Sequence, residues 1–173
     1  MENKLKYTDE NDKSLGVAGM AISLVACDGE DYLAAVSLEE DEDALQMAEE
    51  FFFGGNPRFS AKIAWNEILK QFQITSGMML GNVMCRNLAA GHALDSEMIE
   101  MIHDLILSDG QEFCSLERDE IENLYNQEYK YYYRMFSHPT VATIARDFAT
   151  TLRLQRRMTA GEVIENLRRL SAI

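Results

Sequence analysis

From Ser60 to Ala90 the chain carries only four charges, Lys62, Glu67, Lys70 and Arg86. Its apolar residues recur at helical spacing: Ile63, Ile68, Phe72, Met79, Val83 and Leu88, with Trp65, Leu69, Leu80 and Met84 alongside. A helix that is apolar over most of its circumference must be enclosed by other elements. The pattern therefore predicts a central rod about 46 Å long, at 1.5 Å per residue. Ser60 suits its N-cap and Gly91 its C-terminal stop. Thr75, Ser76, Gly77, Gly81 and Asn82 fall together in its middle. Two glycines four apart favour a close helix approach, and the same section is where a kink would fall. A buried Asn82 there needs a hydrogen-bond partner.

The rest of the chain is organised as further helices. Pro57 and Pro139 are the only prolines, and neither interrupts a periodic segment, which suits long helices. Residues 1–12 are polar and read as a flexible N-terminus; 13–173 read as a single helical domain. The acidic run 39–43 precedes an expected helix over about 41–53, ended by Phe53 and the Gly54–Pro57 breaker. Asp95 or Ser96 opens a helix that Gly110 stops. Ser115 opens another that ends at Pro139. A helix over 140–158 follows, then a last one that Thr159 and Glu162 begin as a capping box. Residues 15–27 fit two descriptions. Leu15, Ala18, Ile22 and Val25 share a helical face, whereas Asp28-Gly29 between apolar runs signals a hairpin. The expected fold is all-α, about five to seven helices around a long central helix at 60–90. The alternative is α+β, with an N-terminal β-hairpin at 19–38 packed on the helices.

With 173 residues, 47% of them hydrophobic and 26% charged, the chain can bury a core without staples. The net charge of −13 disfavours general nucleic-acid binding, which depends on neutralising phosphates. It equally disfavours an anionic membrane surface. Ile74–Leu88, the most apolar run, contains Asn82, Arg86 and Asn87 and is too short to span a bilayer. Cys27, Cys85 and Cys114 are odd in number and widely spaced, which fits reduced thiols in a cytoplasmic protein better than a disulfide framework. The start of the chain lacks a signal-peptide layout.

Four constellations merit chemical reading. Glu100 and His103 stand three apart on one helix face, the arrangement of ferritin-like di-metal bundles. Such a site needs a second copy of the motif and two more acids, and Glu67 is the only acid of the rod that could join. The three histidines, His92, His103 and His138, lack ligand spacing. No metal site is therefore expected, and Glu67, Glu100 and His103 are only weak candidates for one. Tyrosines cluster from Tyr125 to Tyr133; Tyr125, Tyr129, Tyr132 and Phe136 share a packing stripe, whereas Tyr131 and Tyr133 point elsewhere and suit a binding surface. Finally, charge is split. Residues 1–57 hold 14 acids against 3 bases, and residues 134–173 hold 7 arginines against 3 acids. The basic helices can lie against the acidic third of the same chain, or Arg153, Arg156 and Arg157 can meet an anionic partner.

A catalytic set and a cofactor are not expected from these patterns. The expected function is a non-enzymatic interaction or scaffold protein acting through helix surfaces, with a second copy or another protein as partner. The alternatives are a metal-dependent, ferritin-like enzyme and a nucleic-acid-associated regulator using the C-terminal arginines.

Overall fold

The expected helical bundle is present in the computed structural model of the chain, which describes residues 6–39, 44–52 and 61–172. Seven α-helices and a small antiparallel sheet make up these residues. Residues 40–43 of the acidic run, the Gly54–Pro57 breaker and the Ser60 cap lie outside them.

The ambiguous stretch 15–27 is helical. Helix α1 spans Glu10–Ala26 and is buried from Lys13 to Leu24, save the half-buried Met20. Its glycines each cost about 1 kcal/mol of helix propensity relative to alanine, and packing offsets that cost. At Gly19 a Cβ would land on the carbonyl of Gly81 in α3 (Ala61–Leu88), and one at Gly81 would land on Ser23 Oγ. The two backbones meet where no side chain fits, and this is the tight crossing expected at the middle of the rod.

Within the expected flexible N-terminus, 1–12, residues 6–12 make hydrogen bonds to the rest of the chain, and residues 1–5 lie outside the described residues. Asp9 caps α1 by accepting from the Asp12 N–H at 2.8 Å. The Arg86 guanidinium grips Asp12 at 2.6 and 2.5 Å and also donates to the Lys6 carbonyl. The Tyr7 ring lies against that guanidinium, 4.8 Å from its centroid. Asn82 donates through Nδ2 to the Tyr7 hydroxyl at 2.9 Å, which meets part of what its burial requires; its buried Oδ1 accepts no hydrogen bond among the described residues. Burial alone would raise the Asp12 pKa, but the Arg86 and Thr8 hydrogen bonds outweigh it and hold the carboxyl below the usual range.

Strand β1 (Leu33–Ser37) lies between β2 (Leu45–Met47) and β3 (Arg157–Thr159), antiparallel to both. A hairpin therefore exists in the first third, and one of its strands falls within the 19–38 alternative. Its partner, however, is β2 rather than residues 19–26, which belong to α1. Of the helix expected over 41–53, residues 41–43 and 53 lie outside the described residues, and of the others only Glu49–Phe52 (α2) is helical, because Leu45–Met47 complete the ladder to β1. The helix expected over 140–158 likewise stops early. Helix α6 (Pro139–Gln155) ends, Arg156 takes φ +68°, and β3 follows with Met158 buried. Pairing across the sheet overrides the local helical pattern in both places.

Helix α4 spans Ser96–Cys114, α5 spans Arg118–Phe136 and α7 spans Ala160–Leu167. Two expected boundaries move. Gly110 does not stop α4; it gives room to Ile121 of α5. Ser115 ends α4 in the left-handed conformation, φ +50°, and Glu117 with Glu120 forms the box that opens α5. His138 caps α6 through Nδ1, and Thr159 with Glu162 opens α7 as expected. The rod itself is only half core. Its second half, Ile74–Arg86, is largely buried, whereas Ile63 and Trp65 in the first half are 48% and 39% exposed. Among the described residues, no helix is long and apolar enough to cross a membrane.

Candidate functional site

Helix α5 presents two unlike faces, and both concentrate chemistry-bearing side chains. Its apolar residues Ile121, Tyr125, Tyr132 and Phe136 seat it in the core, at spacings that keep them on one side of the helix.

On the inner side, Tyr132 is 1% exposed and its hydroxyl lies 2.8 Å from Cys27 Sγ, just past the end of α1. That hydroxyl occupies the place a side chain at Gly77 of α3 would take. Gly77 therefore admits a phenol, not a helix backbone. One turn earlier, Glu128 Oε2 is 2.6 Å from Ser76 Oγ, which also lies 3.1 Å from the Gln73 carbonyl. A hydroxyl has one proton to donate. If Glu128 is neutral, its O–H donates to Ser76 and Ser76 donates to the Gln73 carbonyl, so each group is served. Once Glu128 ionises, Ser76 must turn its proton to the carboxylate. Burial acts the same way and pushes the Glu128 pKa up to about 7, against the lowering effect of the Ser76 hydrogen bond.

These groups border a cleft of about 330 Å³, with Lys70, Gln73, Gln127 and Tyr131 on its walls. The Lys70 ammonium sits 5.1 Å from the centroid of the Tyr32 ring. The cleft holds its protons. Burial raises the pKa of Cys27 and of Tyr132, and the Glu128 charge adds to both. Burial likewise raises Cys114 and pushes Cys85 up to about 12. A thiol held in its protonated form is a weak nucleophile at neutral pH. The inner face is thus suited to anchoring α5, and its thiol and phenol are tuned away from covalent chemistry.

The outer side is the opposite. Asp119, Asn123, Asn126, Lys130, Tyr133 and Arg134 are all exposed, and their spacing of three and four residues aligns them in one stripe. Tyr133 is 46% exposed and stacks on Tyr129, ring centroids 6.2 Å apart and 9° from parallel. Eight of the nine described arginines have a hydrogen bond or ion pair within the chain. Arg134 is the exception among the described residues, and neither Lys130 nor Asp119 has such a partner.

The remaining side chains singled out by sequence are dispersed. Glu100 is exposed on α4 and Glu67 lies on the half-exposed start of α3. His103 turns instead to α5, with Nε2 3.5 Å from Glu122 Oε2 and its ring 4.5 Å from that of Tyr125. Among the described residues, no group of three or more metal-ligating side chains converges. Tyr131 is exposed beside the inner cleft, edge-on to Tyr132, and is separate from the outer stripe. Arg153 donates to Asn11 Oδ1 and Ser14 Oγ, at 2.8 and 2.6 Å. Arg156 pairs with Glu10 at 2.7 Å, and Arg157 reaches Gln46 at 3.3 Å. Arg153, Arg156 and Arg157 thus lie against the N-terminal third of their own chain, whereas Arg168 pairs with Glu165 and Arg169 with Asp147. Sequence reasoning places Ser76 in the polar middle of the rod but does not single out its partner Glu128; the one available signal is a polar residue within an otherwise apolar helical stripe.

Comparison of the chain with protein-family models, with curated proteins and with solved structures returns no match.

Proposed function

We propose that this is a non-enzymatic interaction protein whose docking element is the outer face of α5. The observation that carries the reading is Arg134, the one described arginine without an intramolecular partner, standing with Lys130 beside the stacked Tyr129–Tyr133 pair. Arginine and tyrosine are the residue types that most often anchor protein interfaces. Both cations are exposed and hydrated, so they are free to engage a second molecule. The inner face supports the same reading. Glu128 and Tyr132 fix the helix to α3 and α1, so the outer side chains are displayed from a rigid support.

A photoreactive residue placed at Tyr133, in the full chain produced in cells, tests the proposal. The expected result is a discrete protein adduct from position 133. That adduct is absent when the probe is moved to Leu154, an 81% exposed position on α6. It is also lost on combining Lys130→Glu with Arg134→Glu. Equal adducts from both positions, or an adduct at 133 that is insensitive to those charges, would overturn it.

A further inference from the structure

The outer stripe of α5 is complementary to itself. Its exposed acid, Asp119, lies in the first turn, and its exposed bases, Lys130 and Arg134, lie in the last two turns. The polar residues Asn123, Asn126 and Gln127 separate the two ends. Asp119 and Arg134 are about 22 Å apart along the helix, at 1.5 Å per residue, too far to meet within one copy. Reversing the helix exchanges the ends. A two-fold axis between Asn126 and Gln127 sets Asp119 of one copy opposite Arg134 of another, and Asn123 opposite Lys130. The same operation repeats each pair on the far side of the axis, as an isologous interface requires.

We infer that the occupant of the α5 face is a second copy of this chain, docked antiparallel across this axis. The inference rests on the docking reading above and names its partner. Three features of the helix favour a copy over an unrelated acidic protein. Both halves of the needed charge pattern are present on one helix. Both lack partners among the described residues. Antiparallel helices also oppose their dipoles, setting the positive N-terminal end of one beside the negative C-terminal end of the other. Glu120 is not required for the pairing, since its side chain accepts from the Glu117 N–H in the capping box. Tyr133 extends the contact beyond charge by adding ring surface beside the first turn of the opposing helix. The ion pairs at the two ends are separated by more than the Debye length at physiological salt, about 8 Å, so they act independently and weaken as salt rises.

Light scattering coupled to size exclusion, together with sedimentation, tests the inference with four samples of the full chain. The unmodified chain is expected to dimerise, with association weakened at least about tenfold by raising salt from low to high ionic strength. Lys130→Glu with Arg134→Glu makes the stripe wholly acidic, and Asp119→Lys with Asn123→Lys makes it wholly basic. Each double variant alone is expected to be monomeric, and an equimolar mixture is expected to form a heterodimer. The substituted side chains are exposed, and a thermal melt of each variant confirms that it is folded. A strict monomer of the unmodified chain overturns the inference. So does a dimer that persists in both double variants, or a mixture that stays monomeric although the unmodified chain dimerises. If the Tyr133 probe captures a different protein while the chain stays monomeric, the docking reading stands and the second-copy inference fails.

Discussion

Tyr132 and Tyr133 are neighbours in sequence and opposites in structure. One is buried with its hydroxyl against Cys27 and Gly77; the other lies open on the outer stripe, stacked on Tyr129. The acids of the same helix divide in the same way. Glu128 is half-buried against Ser76 with its pKa pushed up to about 7, whereas Asp119 is exposed and without a partner among the described residues. Residue type does not set these roles; the side of the helix does. Inward, a polar group must be satisfied by its neighbours or be costly. Outward, water satisfies it, and the group stays free for a second molecule.

The division between the faces is most vulnerable at Gly77. A methyl group there would occupy the position of the Tyr132 hydroxyl, so the ring must leave its pocket or α5 must move. Gly77→Ala is expected to lower stability by about 3 kcal/mol, at the upper end for overpacking a filled core. Equilibrium denaturant unfolding measures it. At Gly161 on α7 an added Cβ would meet nothing within 4 Å, and Gly161→Ala should instead gain up to about 1 kcal/mol from helix propensity. If both substitutions stabilise, the Tyr132 hydroxyl does not fill the space beside Gly77.

Next in size is the protonation of Glu128. Its pKa in the folded state is raised from the ordinary 4.5 to about 7. Between those values the folded chain binds more protons than the unfolded chain, so the contribution of this group to stability falls as pH rises through that window. Below it the folded and unfolded carboxyls are both neutral, and the full contribution is present. Glu128→Gln removes the titration. Relative to the unmodified chain, the variant should gain about 2 to 3 kcal/mol on going from pH 4.5 to pH 8, and its own stability should vary less over that range. Asp12 has the opposite sign: its lowered pKa favours folding above the ordinary carboxyl range and is lost as pH falls. Thermal melts of the two proteins across pH separate these contributions. An identical pH slope in both would show that Glu128 does not carry a raised pKa against Ser76.

Much of this arrangement is legible in the sequence, and what is not has a common cause. Periodicity reports α3, α4, α5 and α6 because each carries a long apolar stripe. It also locates the tight crossing near Gly81, since small residues concentrate there. Strands β2 and β3 escape it because Leu45–Met47 and Arg157–Thr159 are strands by virtue of pairing with β1, and for β3 that contact joins residues more than a hundred positions apart. The tie of residues 6–12 is hidden for the same reason: it depends on Arg86, which the sequence shows only as a charge within an apolar rod. On α5, Tyr131 and Tyr133 are both legible as departures from the packing stripe. Their difference is not, since it follows from which neighbouring helix covers each side.

The smallest expected effect bears most directly on the contrast between the faces. Arg134 makes no hydrogen bond or ion pair within the described chain, so Arg134→Ala should change the stability of the monomer by less than about 0.5 kcal/mol, as for an ordinary surface position. Arg86, by comparison, is buried and holds both Asp12 and the Lys6 carbonyl. Measured at a concentration low enough to keep the chain monomeric, a near-zero result for Arg134 means that its side chain contributes little to the fold, as an open outer face requires. A loss of about 1 kcal/mol or more would mean that the arginine already has a partner inside its own chain, and the outer face of α5 would then be part of the fold's support, not a surface held open for another molecule.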